Sequence, residues 1–270
     1  MKQTTSSSKF AAFAFLLLLP AFLTATTIIG VRGSNRVFIT TDGKPQYKGK
    51  PGDPQVCKIF RKEHTYFAIA GLDHDALRGV FFQKIVADVI QDDDPFPLKL
   101  QKIEDAVKPV ILKEMITLQT EDPETYKWVL HGDTKEAFAI LVADYNGGLP
   151  HLAARGFNFI EGNQPSIQIL KCDYYNESGI CYMGPSKSWI QDFAEIQKQT
   201  PDALDASRGM VEKDMKDAPN DVGPPIVTVL LDNTGEHVFP PSLICPIDLS
   251  LSDKRTNSAR YWVATAAEQR

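Results

Sequence analysis

Hydrophobic positions along the chain follow two periods. Residues 26–32 and 36–41 are β-branched and apolar, and Gly33-Ser34-Asn35 between them is turn material, so they predict two adjacent antiparallel strands. Residues 42–55 carry Gly43, Pro45, Gly49, Pro51, Gly52 and Pro54 and predict a loop. A second strand pair follows at 56–60 and 65–70, closed by Gly71. The period then lengthens: over 75–91, Leu77, Val80, Phe81, Ile85, Val86, Val89 and Ile90 form a helical stripe. Asp92-Asp93-Asp94 and Pro95 break it and read as a solvated loop. Residues 98–118 predict a second helix, bent at Pro109, with a shorter helical piece reaching Leu130. Strands recur at 137–144, 151–159, 166–170 and 180–183, helices at 188–199 and 201–215, and a late strand at 226–231 ends in the turn Asn233-Thr234-Gly235. From Pro240 onward the chain reads as an irregular tail.

Helices arrive in consecutive pairs between groups of strands. That order opposes a βαβ pattern, and no G-x-G-x-x-G follows the first strand. It predicts an α+β fold: a four-layer αββα sandwich of two antiparallel sheets with helices outside each. With 43% hydrophobic and 23% charged residues, a disordered or collagen-like chain is excluded, and 270 residues suit one main domain, placed at 26–240.

The N-terminus stands apart. Lys2 and Lys9 precede an uncharged apolar run over 10–23, interrupted at Pro20. A basic start and an apolar run of this size read as an export signal, removed after Ala25; residues 1–25 are then a signal peptide, and the mature protein is secreted or periplasmic. The alternative is an uncleaved membrane anchor extending to Val31. The formal charge of -5 argues against nucleic acid as a partner. Cys57, Cys172, Cys181 and Cys245 make an even number, which permits disulfides in an exported chain. Cys57 reads as a buried apolar filler. Cys172 and Cys181 bracket a predicted hairpin with its turn at 176–179, where a bridge fits, and Asn176-Glu177-Ser178 is a glycosylation sequon.

Familiar catalytic signatures are missing: the sequence has no H-E-x-x-H, paired C-x-x-C, P-loop or G-x-S-x-G. His64, His74, His131, His151 and His237 are dispersed and read as surface or structural. The remaining chemistry lies at the expected cleavage point. Scission after Ala25 makes Thr26 the first residue, and its α-amine, which titrates near 8, can serve as base for its own hydroxyl. Such a site needs a cation to stabilise the alkoxide and an anion to hold the cation. Asp42, at the end of the second strand, and Lys58, in the third, are the candidates.

The segment Thr26-Thr27-Ile28-Ile29 through Asp42-Gly43 to Lys58 resembles the start of proteasome β subunits, which are N-terminal nucleophile (Ntn) hydrolases, and most of all their bacterial ATP-dependent protease homologue. The spacing of Thr26, Asp42 and Lys58 matches that family without a gap, and the clear resemblance covers roughly residues 26–90. It implies the Ntn hydrolase fold, with Thr26 as nucleophile and base, Lys58 as a buried ammonium, and Asp42 positioning Lys58. It also implies a backbone N–H at Gly71 as oxyanion donor, with Ile69 and Ala70 near the specificity pocket. Ser186, in Gly184-Pro185-Ser186, falls where the family often has a serine beside the threonine amine. The later segment 222–238 resembles the family's late strand. Two departures stand out. Ala25 replaces the glycine that usually ends family propeptides, and the late Asp-x-x-Ser-Gly-Gly signature reads Pro219-Asn220-Asp221-Val222-Gly223-Pro224, without the serine.

The expectation is therefore an exported threonine-type amidase or peptidase, acting on a peptide or small amide with no metal or organic cofactor. Ring assembly as a homo-oligomer is the family's habit, whereas export argues against an ATPase partner. The alternative is a non-catalytic binding or structural protein, secreted or membrane-tethered, on the same scaffold.

Overall fold

The apolar runs pair into two five-stranded antiparallel sheets in a computed structural model that describes residues 26–44, 58–75, 78–130 and 135–239. The first sheet contains β1 (Ile28–Arg32), β2 (Arg36–Asp42), β10 (Gly179–Met183), β11 (Ile226–Asp232) and β12 (Gly235–Phe239), in the order β10-β1-β2-β11-β12. The second contains β3 (Ile59–Lys62), β4 (Thr65–Gly71), β7 (Glu136–Asn146), β8 (Leu149–Ile160) and β9 (Ser166–Tyr174), in the order β3-β4-β7-β8-β9. A small hairpin, β5 (His74–Asp75) with β6 (Val80–Phe81), follows β4. The helices are α1 (Phe82–Val89), α2 (Phe96–Glu121), α3 (Pro123–Val129), α4 (Trp189–Gln199) and α5 (Ala203–Asp217).

Three apolar cores set the layers. The period-two alternation of β4 sends Tyr66, Ala68 and Ala70 into the core between the sheets, while Phe67 and Ile69 join the core beneath α1 and α2. In β1, Ile28 faces the second sheet, whereas Ile29 and Val31 pack with Phe193, Met210 and Val211 of α4 and α5. Because both faces are covered, β1 and most of β4 are buried along their length, which explains why they read as unbroken apolar runs. At Gly30 the sheets approach so closely that a Cβ would lie 2.6 Å from Leu152 Cδ1. The fold is thus mixed α+β with two packed antiparallel sheets, as the element order predicts.

Several boundaries differ from the sequence reading. The first helix starts at Phe82 instead of 75, because Gly79 adopts φ +71° and the chain before it forms the β5–β6 hairpin. α2 runs through Pro109 as one helix. Its buried stripe of Leu100, Ile103, Val107, Ile111, Met115 and Leu118 lies on the face that Pro109 avoids, so the missing N–H is on the solvent side. Asp94 is not fully solvated: it is largely buried and takes a 2.6 Å bond from Lys102 Nζ. The late turn is followed by β12, which pairs back on β11. The expected signal peptide, Cys57, His131, Cys245 and the tail from Pro240 lie outside the described residues. Among the described residues no helix is long and apolar enough to cross a membrane.

The hairpin expected between Cys172 and Cys181 is replaced by a crossing between sheets. β9 pairs with β8 in the second sheet, and β10 pairs with β1 in the first. Cys172 and Cys181 are disulfide-bonded, so the bridge joins one sheet to the other. Closing this crossing restricts the unfolded chain, and removing the bridge by Cys172→Ala with Cys181→Ala is expected to cost about 2–4 kcal/mol. Calorimetry then shows Tm falling by roughly 5–10 °C; an unchanged Tm would show that the bridge adds nothing.

Candidate active site

Thr26 and Thr27 lead directly into β1, which is hydrogen-bonded on both sides, with Ile28 opposite Met183 of β10 and Thr41 of β2. Asp42 is the last residue of β2, and Lys58 immediately precedes β3. The sheet packing brings these three together. Lys58 Nζ donates to Thr26 Oγ1 at 3.1 Å and to Asp42 Oδ1 at 2.8 Å. Asp42 is fully buried and Lys58 is 8% exposed.

The Asp42 carboxylate is held by more than the lysine. Thr27 N–H donates to Oδ1 at 2.9 Å, and the N–H groups of Lys44 and Gly223 donate to Oδ2 at 3.1 and 3.4 Å. Asp42 N–H returns a bond to Thr27 O at 3.2 Å. The segment carrying the altered late signature therefore supports the site through its backbone: Gly223 reaches Asp42 without any serine. Gly43 fits against this loop only because it lacks a side chain, since a Cβ there would meet Pro225 Cδ at 2.4 Å.

Gly71 ends β4 with φ +81°, and a Cβ there would lie 2.7 Å from Ala137 O, so glycine is required on both counts. Leu72 N–H donates to Ala137 O at 2.9 Å. Antiparallel pairing alternates bonded and non-bonded pairs, so the adjacent Gly71–Phe138 pair is the non-bonded kind. Its N–H points away from β7, toward the β3 side, past the final β3–β4 pair of Ile59 with Ala68. Ala70 faces the space between the sheets, but Ile69 packs in the helix-side core, so of the two residues expected near a specificity pocket only Ala70 faces that space.

Ser186 follows β10, in the segment that leads to α4. Its hydroxyl donates to Asp192 Oδ2 at 2.7 Å, and its N–H donates to the Tyr182 hydroxyl at 2.9 Å. Tyr182 in turn donates to Asp214 Oδ2 at 2.9 Å, and Thr27 Oγ1 donates to the same oxygen at 2.7 Å. Ser186 thus connects to the residue after Thr26 through two intermediates. Asp214 is the residue that sequence reasoning missed. It is 1% exposed, its Oδ1 has no hydrogen-bond partner, and burial raises its pKa above the ordinary carboxylate value. Burial also pushes the Tyr182 phenol well up, with the Asp214 charge adding to the effect. Thr27 is thereby gripped by Asp42 at its backbone and by Asp214 at its side chain, which fixes the path of Thr26.

The sign of the Asp214 shift gives a test. A carboxyl whose folded pKa is raised binds its proton more readily in the folded state, so ionisation opposes folding as pH rises from about 4 through the raised value. Asp214→Asn keeps an acceptor oxygen for Thr27 and Tyr182 and removes that charge. The Tm difference, variant minus wild type, is expected to grow as pH rises through that window. A pH-independent difference would show that Asp214 does not titrate there.

The described histidines all have acidic partners: His64 with Asp92, His74 with Asp73, His151 with Asp144 and His237 with Asp232. Hydrogen bonding to Asp73 raises the His74 pKa. At the Gly71 end of the second sheet, burial pushes the Glu136 carboxyl up to about 7. Among the described residues no group of three or more His, Cys, Asp and Glu side chains is arranged to hold a metal ion. Chemically, the arrangement offers a hydroxyl beside a buried ammonium that is itself fixed by a fully bonded carboxylate. No protein-family model matches the chain, and no curated protein sequence matches it.

Proposed function

We propose that this protein is an exported N-terminal threonine amidohydrolase or peptidase with the Ntn hydrolase fold of proteasome β subunits. The observation that carries the reading is the contact of Lys58 Nζ with both Thr26 Oγ1 and Asp42 Oδ1. A buried ammonium beside a threonine hydroxyl stabilises the alkoxide but has no lone pair with which to take its proton. The base has to come from elsewhere, and an α-amine freed on Thr26 supplies it at the shortest reach.

In this mechanism an export peptidase cuts before Thr26. The free amine takes the hydroxyl proton as Thr26 Oγ1 attacks an amide carbonyl. The Gly71 N–H and the Lys58 charge stabilise the negative charge that develops. The amine passes the proton to the leaving nitrogen, the acyl ester remains on Thr26, and water releases the acid. Asp42 holds Lys58 in place throughout. The substrate is a peptide or a smaller amide.

The test begins with N-terminal sequencing of the exported protein, which is expected to start at Thr26. That protein is then treated with an electrophilic amide mimic, and peptide mapping is expected to find the adduct on Thr26. A mature chain starting at any other residue overturns the proposal and leaves a binding or structural protein on this scaffold, and an adduct elsewhere overturns it by placing the nucleophile at another residue.

A further inference from the structure

We propose that Asn176 carries an N-linked glycan. Asn176-Glu177-Ser178 is the only Asn-X-Ser/Thr triplet in the 270 residues, and its middle residue is not proline. The triplet lies in the crossing from β9 to β10, and all three residues are exposed. Asn176 stands at the rim of an open cleft of about 440 Å³, lined also by Pro95, Phe96, His151 and Tyr175. The rings of Phe96, His151 and Tyr175 line the same cleft. Among the described residues no hydrogen bond occupies the Asn176 side chain.

The disulfide adds an independent argument about place. Cys172 and Cys181 close the same crossing, and such a bond persists in an oxidising compartment. The secretory lumen that allows the bridge is also where asparagine glycosylation occurs. The amide nitrogen of Asn176 attacks the anomeric carbon of a lipid-linked diphosphate oligosaccharide. The C–N bond forms as the C–O bond to the diphosphate breaks, the lipid diphosphate leaves, and the amide proton passes to the transferase. The proposal rests on export of the chain and is independent of the chemistry at Thr26.

The glycan leaves the candidate active site open. Tyr174, at the end of β9, pairs with Leu152, which pairs with Ala143, which pairs with Tyr66. Gly71 lies five residues further along β4 from Tyr66, which is about 17 Å at the rise of a strand. Asn176 sits beyond the opposite end of the sheet from Gly71.

The test translates the full chain with secretory microsomes and isolates the protease-protected fraction. The protected chain is expected to run roughly 2 kDa heavier than the same protected chain after treatment with an N-glycosidase, as one core oligosaccharide requires. Asn176→Gln and Ser178→Ala remove the shift, and Ser178→Thr keeps it. A protected chain without the shift, or a shift that survives Asn176→Gln, overturns the proposal. A chain that is never protected overturns it together with export, and the protection assay distinguishes the two failures.

Discussion

Exported protein carrying Thr26→Ala is expected to lose amide hydrolysis by about 10⁴-fold or more, because in the proposed mechanism the change removes the attacking atom while leaving the rest of the site in place. Lys58 Nζ reaches the wild-type hydroxyl of Thr26 at 3.1 Å. Deleting it leaves the ammonium paired with Asp42 at 2.8 Å and the Thr27 contacts to Asp42 and Asp214 intact. The variant should therefore fold normally, with a melting temperature close to that of wild type. Thr26→Ser keeps a hydroxyl and an α-amine and is expected to retain part of the rate. The measurements are kcat/KM and covalent labelling on chains whose N-terminus has been sequenced. Labelling that persists in Thr26→Ala places the nucleophile elsewhere. Equal loss in the serine variant, with a normal terminus, contradicts a mechanism that needs only a hydroxyl and an amine.

The parts of this site that were legible in the sequence lie close together in it. Thr26, Asp42 and Lys58 fall within a separation of 32 residues and sit beside or at the ends of strands whose apolar patterns are strong. Strand register then converts that spacing into contact. Asp214 was not legible for the opposite reason. It lies 187 residues from Thr27, in the helical run Glu212-Lys213-Asp214-Met215-Lys216-Asp217, where nothing local distinguishes a buried carboxylate from its solvated neighbours. Only the packing of α5 against β1 singles it out. The crossing at 172–181 shows the same limit in the fold. A turn sequence between two apolar runs looks alike whether the runs pair with each other or pass into different sheets, because the choice depends on strands far away. Here β1 and β8 provide the partners. The start of the first helix is not legible in the sequence, because the stripe from Leu77 to Ile90 keeps helical spacing across Gly79, whose positive φ belongs to the hairpin formed by β5 and β6.

Lys58 is expected to affect rate and stability separately, and two variants divide them. Lys58→Met removes the charge that stabilises the alkoxide in the proposed mechanism, and hydrolysis is expected to fall on the order of 10³-fold, the scale of losing a preorganised electrostatic contact. It also leaves the carboxylate of Asp42 buried without its cation. Losing one partner of a buried pair costs about 3–5 kcal/mol. The N–H groups of Thr27, Lys44 and Gly223 still bond Asp42, so the loss belongs at the lower end of that range. Adding Asp42→Asn to Lys58→Met removes the uncompensated charge and is expected to recover much of the lost Tm. The rate should stay low in this double variant, because the hydroxyl still faces no cation. Denaturant unfolding and kcat/KM, measured on all three proteins, test both halves. If the double variant regains activity along with stability, Lys58 serves the fold alone and the mechanism loses its electrostatic element. If Lys58→Met unfolds no more easily than wild type, the 2.8 Å ion pair contributes nothing to stability.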